Sequence, residues 1–107
     1  MATNSMEDSR KALGKVLLDI LGNQNVYYQP PESIKLKYPC IVYSRNRIDQ
    51  RHADDLVYGL DYSYTVTLID TNPDSSVSIA LANLPKCKFD RIFKTSGLYH
   101  TVFTIYY

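Results

Sequence analysis

The sequence predicts an α+β fold with two layers: a mainly antiparallel β-sheet, with an N-terminal helix and a second short helix packed on one face. Three observations favour it. One segment near the N-terminus carries apolar residues at helical spacing, and several later segments are rich in β-branched and aromatic residues. Ten of the 107 residues are Tyr, a residue common in strands and at interfaces. This length predicts a single domain, residues 1–107.

The first element is predicted to be a helix from about Met6 to Leu21. Ser5 is the expected N-cap and Gly22 the expected residue just past the C-terminus. The apolar residues recur three and four positions apart and form one stripe, which should face the core: Leu13, Val16, Leu17, Ile20 and Leu21.

Three strands are expected next. Val26–Tyr28 is a short strand that ends before two prolines, and Cys40–Arg45 is apolar on both faces, which is typical of a strand inside a sheet. The polar segment 46–55 has no core period and indicates a long hairpin loop or an exposed extension. Val57–Asp70 then alternates between apolar and polar residues, so it should be a long strand with one wet or interface-facing side.

The second helix is expected to begin with Asn72 as its N-cap and Pro73 at its first position. Its inner side should carry Val77, Ala80, Leu81 and Leu84. Two strands, 87–94 and 98–107, should close the chain as a hairpin across a three-residue connection, 95–97. The predicted core comprises Leu13, Val16, Leu17, Ile20, Ile41, Tyr64, Val66, Leu68, Leu81 and Leu84.

The residues with reactive side chains form no recognisable catalytic pattern. Cys40 and Cys87 are too few for a disulfide scaffold or a zinc site, and we expect both to be buried free thiols. A nucleophilic pair of either thiol with His100 is conceivable but lacks a supporting motif. His52 and His100 are too scattered for a metal site. We therefore expect a protein that is not an enzyme, with no cofactor and no bound metal.

Charge, hydropathy and the N-terminal residues argue against other classes of protein. There are 12 Lys and Arg against 11 Asp and Glu, whereas proteins that wrap nucleic acid carry a marked basic excess. No apolar run approaches the length of a membrane span, so no membrane association is expected. The N-terminus is polar and acidic, unlike a secretory signal.

The strongest candidate for a partner contact is the mixed-charge segment Arg45–Asp55, which we interpret as an assembly-interface loop. If it continues the preceding strand, Arg45 and Arg47 would project from the same face. Two other interpretations stay open: a solvated face whose charges cancel, and a nucleic-acid patch, which the acids weaken. The candidate interface residues are Arg45, Arg47, Asp49, Arg51, His52, Asp54 and Asp55.

Three segments carry a family resemblance: residues 38–43 (YPCIVY), 64–75 (YTVTLIDTNPDS) and 97–107 (GLYHTVFTIYY). Together with the N-terminal helix and the chain length, they resemble the tail terminator, or tail completion, proteins of long-tailed, siphovirus-like bacteriophages. The shared patterns are structural. One is an aromatic residue followed by Pro and apolar residues, and the other is a strand followed by Asp and then by Asn-Pro-Asp. The resemblance covers nearly the whole chain in the order of its elements.

The resemblance implies a structural virion protein that forms a hexameric ring and caps the tail tube when elongation ends. The ring then offers the surface for joining the head, through a connector or stopper protein, and phage DNA passes through its lumen without sequence-specific binding. The expected location is the neck end of the tail in the virion, and the host cytoplasm during assembly. The alternatives are a head-side connector or stopper protein, a small non-enzymatic binding module and, least favoured, a small enzyme.

Overall fold

The computed structural model describes residues 5–53 and 56–107. Five strands form one sheet in the order β1-β2-β3-β5-β4, and both helices contribute to one core on the same face of it. The predicted α+β class is therefore confirmed. In chain order the elements are α1 (Ser5–Leu21), β1 (Val26–Tyr28), β2 (Cys40–Ala53), β3 (Leu56–Asp70), α2 (Ser76–Ala82), β4 (Cys87–Thr95) and β5 (Leu98–Tyr106).

The sheet is antiparallel except at one edge. β1 runs parallel to β2, with Val26 beside Ile41, because residues 29–39 carry the chain back to the end of the sheet where β1 began. The other three strand pairs are antiparallel. β2 lies between β1 and β3, inside the sheet, as its two apolar faces predict.

The core lies between the helices and the face of the sheet that they cover. Ile20 and Leu84 pack at its margin, and Val16, also predicted in the core, is only half-buried and lies outside it. The buried cluster is made of Leu13, Leu17, Leu21, Ile41, Tyr43, Tyr62, Tyr64, Val66, Leu68, Leu81, Phe103 and Ile105.

Gly14 explains why the buried side of α1 is turned away from Val16. A Cβ built at position 14 would lie 2.5 Å from the Tyr43 hydroxyl oxygen, so the helix approaches β2 through a position without a side chain. The Tyr43 hydroxyl in turn donates to the backbone carbonyl of Arg10 at 3.3 Å. The close approach places Gly14 on the buried side of the helix and leaves Val16 at its flank.

The second helix begins later than predicted. The Asn72 and Asp74 amides bond the side chains of Asp70 and Asn72 at 3.1 and 3.0 Å, which makes two successive Asx turns. Ser75 is the N-cap, its hydroxyl accepting from the Val77 amide at 3.2 Å. Asn72 and Pro73 therefore belong to the preceding turn, because the side chains that suit an N-cap suit an Asx turn equally well. Ala80, expected on the inner side, is exposed.

The β4–β5 connection and the start of α1 also differ from the prediction. The β4–β5 connection has two residues, since Thr95 pairs with Leu98. Ser96 and Gly97 both have positive φ, 52° and 77°, the conformation of the tight hairpin turns that match strand twist. Ser5 is the first helical residue and not the N-cap, whereas Gly22 ends α1 as predicted, with φ of 80° and its amide bonded to the Leu18 carbonyl.

Candidate assembly surface

Strands β2 and β3 continue beyond the rest of the sheet. β5 pairs with β3 only from Ser63 onward, and β1 pairs with β2 only as far as Tyr43. Residues 47–53 and 56–62 pair with each other, and no third strand in the described part of the chain joins them. This two-stranded ribbon, the β2–β3 arm, is about 20 Å long by the rise per residue of a strand. It contributes to a molecule of 51 × 28 × 24 Å.

The predicted assembly loop is therefore strand over its described length, and the alternative expectation of an exposed extension describes it better. A polar segment without a core period predicts a loop, yet its charged residues at 47, 49 and 51 alternate with uncharged residues at 48 and 50. That period of two fits a ribbon that buries neither face completely. Asp54 and Asp55 lie outside the described residues.

A β-bulge at Asn46 separates two arginines that were predicted to share a face. Arg45 pairs with Tyr64 and Arg47 with Ser63, so Asn46 is an extra residue on β2. The bulge resets the alternation, and Arg45 and Arg47 consequently lie on opposite faces of the sheet. The expectation of a shared face was wrong because a bulge leaves no clear mark in a single sequence.

Arg45 holds the root of the arm against the body of the domain. Its Nη2 donates to the backbone carbonyl of Met6 at 2.7 Å and to the Tyr64 hydroxyl at 3.3 Å. Its guanidinium also lies 5.6 and 5.5 Å from the ring centroids of Tyr62 and Tyr64. The Ser9 hydroxyl bonds the same Tyr64 hydroxyl at 2.9 Å, so the network joins β2 and β3 to the first turns of α1.

One face of the arm, on the side away from the helices, carries four charged residues. Asp49 and Asp61 are directly opposite each other in the register, an arrangement that destabilises a strand pair through like-charge repulsion. Arg47 lies 2.7 Å from Asp49, and Arg51 lies 3.3 Å from Asp61, so each carboxylate has a cation beside it. Asp61 was absent from the predicted set, although the alternation of β3 already placed it on the polar side.

These ion pairs show what the predicted interface residues do within one chain. Arg47 and Arg51 contact acids of their own arm, and His52 is exposed on the opposite face from Arg51. That one of these arginines reaches an acid on a neighbouring subunit stays a prediction. The four charged side chains are between 35% and 65% exposed, so their ion pairs are screened by water and contribute little to the stability of the fold.

The other face of the arm continues the helix-covered side of the sheet and is mixed, since Ile48, Leu60 and Tyr62 share it with the exposed Gln50 and His52. Ile48 lies opposite Tyr62, and Leu60 lies opposite Gln50, so Ile48 and Leu60 are diagonal neighbours. Tyr62 is buried at the root, whereas Ile48 and Leu60 are exposed large hydrophobic residues. Nothing in the charge pattern indicated this face, because Ile48 is the only aliphatic residue longer than Ala in the polar segment.

The thiols and the histidines weighed for chemistry do not come together. Cys40 is buried, and burial raises the pKa of its thiol to about 11. In the register Cys40 and His100 are separated by Ile69, so they lie two strand spacings apart, about 10 Å. The His100 ring stacks on Phe93 at 4.7 Å and 12°.

Cys87 is opposite Ile105 on the helix-covered face and is only half-buried, so the prediction of burial is correct for Cys40 alone. Burial also raises the pKa of the Cys87 thiol. In residues 5–53 and 56–107, His, Cys, Asp and Glu form no group of three or more that could hold a metal ion. Neither helix in the described part of the chain is long and apolar enough to cross a membrane.

Comparison with known proteins adds no family to this picture. No protein-family model matches the chain, and no curated protein matches its sequence. The structure defines an α+β domain with a projecting β-ribbon, and the resemblance of its sequence to phage tail terminators stays a prediction.

Proposed function

We propose that this protein is a structural assembly subunit that forms a ring at the neck end of a phage tail. The β2–β3 arm is the observation that carries the proposal. A hairpin of two strands is marginally stable in water unless something packs on it, and this one extends beyond the helices with exposed Ile48 and Leu60. Exposed apolar side chains on a projecting arm are typical of a surface that contacts another molecule.

The choice of a tail ring rests on the resemblance of residues 38–43, 64–75 and 97–107 to tail terminators. In this role the ring caps the tail tube, ends its elongation and presents the surface for the connector or stopper protein. Its partners are further copies of itself, the tail tube protein and that head-side protein, and DNA passes through the lumen. The near balance of charge is compatible with a passage that does not hold DNA tightly.

Two measurements test the proposal. Light scattering coupled to size exclusion, with and without purified tail tubes, should show a ring, hexameric if the resemblance holds, free in solution or on the tube end. A nonsense mutation in the gene should yield over-long or headless tails in micrographs. Tails of normal length with unjoined heads would indicate the head-side stopper instead. Normal infectious virions would show that the proposal is wrong.

A further inference from the structure

We draw no further inference here: the strongest candidate, the groove between α2 and β4 whose walls carry the exposed Ile79, Phe89 and Ile92, carries no proposal, because nothing in residues 5–53 and 56–107 shows what covers it.

Discussion

The body of the domain and the β2–β3 arm are built from the same two strands but differ in what covers them. Tyr64, Val66 and Leu68 of β3 face the helices and are buried, whereas Leu60, earlier on the same face of the same strand, is exposed. In the body, five strands and two helices enclose a core; in the arm, two strands pair with each other. The comparison shows that alternation along a strand specifies a face without specifying what covers it.

The largest difference should appear when one aliphatic side chain is removed from each region. Leu17→Ala, in the core, should lower the free energy of unfolding by about 2–5 kcal/mol, because it leaves a cavity under the sheet. Ile48→Ala, in the arm, should cost less than about 1 kcal/mol, since its side chain is partly in water already. Urea unfolding of both variants measures the two values. Equal losses would contradict the division into body and arm.

Gly14→Ala should destabilise the body although Ala is the better helix former. The added Cβ meets the hydroxyl of Tyr43, whose ring is buried and bonded to the Arg10 carbonyl, so α1 or the ring must shift. We expect a loss of about 1–3 kcal/mol, as for other overpacked sites. The double variant Gly14→Ala with Tyr43→Phe, which removes the clashing oxygen, should recover part of it. A gain in stability from Gly14→Ala alone would show that the contact is loose.

Burial of Cys40 should make the stability of the body depend on pH in the alkaline range. The thiol pKa is raised from about 9 to about 11 by burial in the folded state, so between these values the unfolded chain loses its proton and the folded chain keeps it. Unfolding is then favoured as pH rises, and the effect is absent below about pH 9. The stability of the wild type relative to Cys40→Ala should fall by up to about 2 kcal/mol between pH 8 and 11. A constant difference would contradict burial of the thiol.

Replacing Arg45 or Arg47, which lie on opposite faces of the sheet, should lower the free energy of unfolding by different amounts. Arg45→Met should cost about 1–2 kcal/mol, because it removes two hydrogen bonds and the cation–ring contacts that fix the arm root to α1. Arg47→Met, two residues on and exposed, should cost less than about 0.5 kcal/mol and less still at high salt. Hydrogen exchange of the arm amides should accelerate in the Arg45 variant. Unchanged exchange rates of the arm amides would show that Arg45 does not stabilise the arm.

Much of the body could be predicted from the sequence, because the spacing of apolar residues along its helix and strands indicates which side chains are buried. The spacing of Leu13, Leu17 and Leu21 and the alternation of Tyr64, Val66 and Leu68 each describe one covered face, and those residues form the core. Val16 was misplaced because the rotation of α1 depends on the contact of Gly14 with Tyr43, which joins residues distant in the sequence.

The candidate site was predicted less well, because its determinants are relations between strands. The one-residue bulge at Asn46 reverses the faces of the residues before and after it. The partner of Arg51 is Asp61, on the next strand, and its identity depends on a register that composition does not reveal. The segment was singled out for its charge, whereas its two faces also differ in the exposed apolar pair Ile48 and Leu60, which the charge pattern did not indicate.

The β4 edge of the sheet, the longer of its two edge strands, bears on whether copies of this protein at high concentration associate into fibrils. β4 exposes one side along nine residues, and a stretch of that length could template another strand. Its register shifts at Asp90, and it carries Lys88, Asp90, Arg91 and Lys94. A symmetric antiparallel pairing centred on Asp90 would set two carboxylates against each other, and one centred on Arg91 would set two guanidiniums together. The bulge and these charges, which are devices by which natural sheets limit edge-to-edge association, therefore disfavour self-pairing of β4 in those two registers.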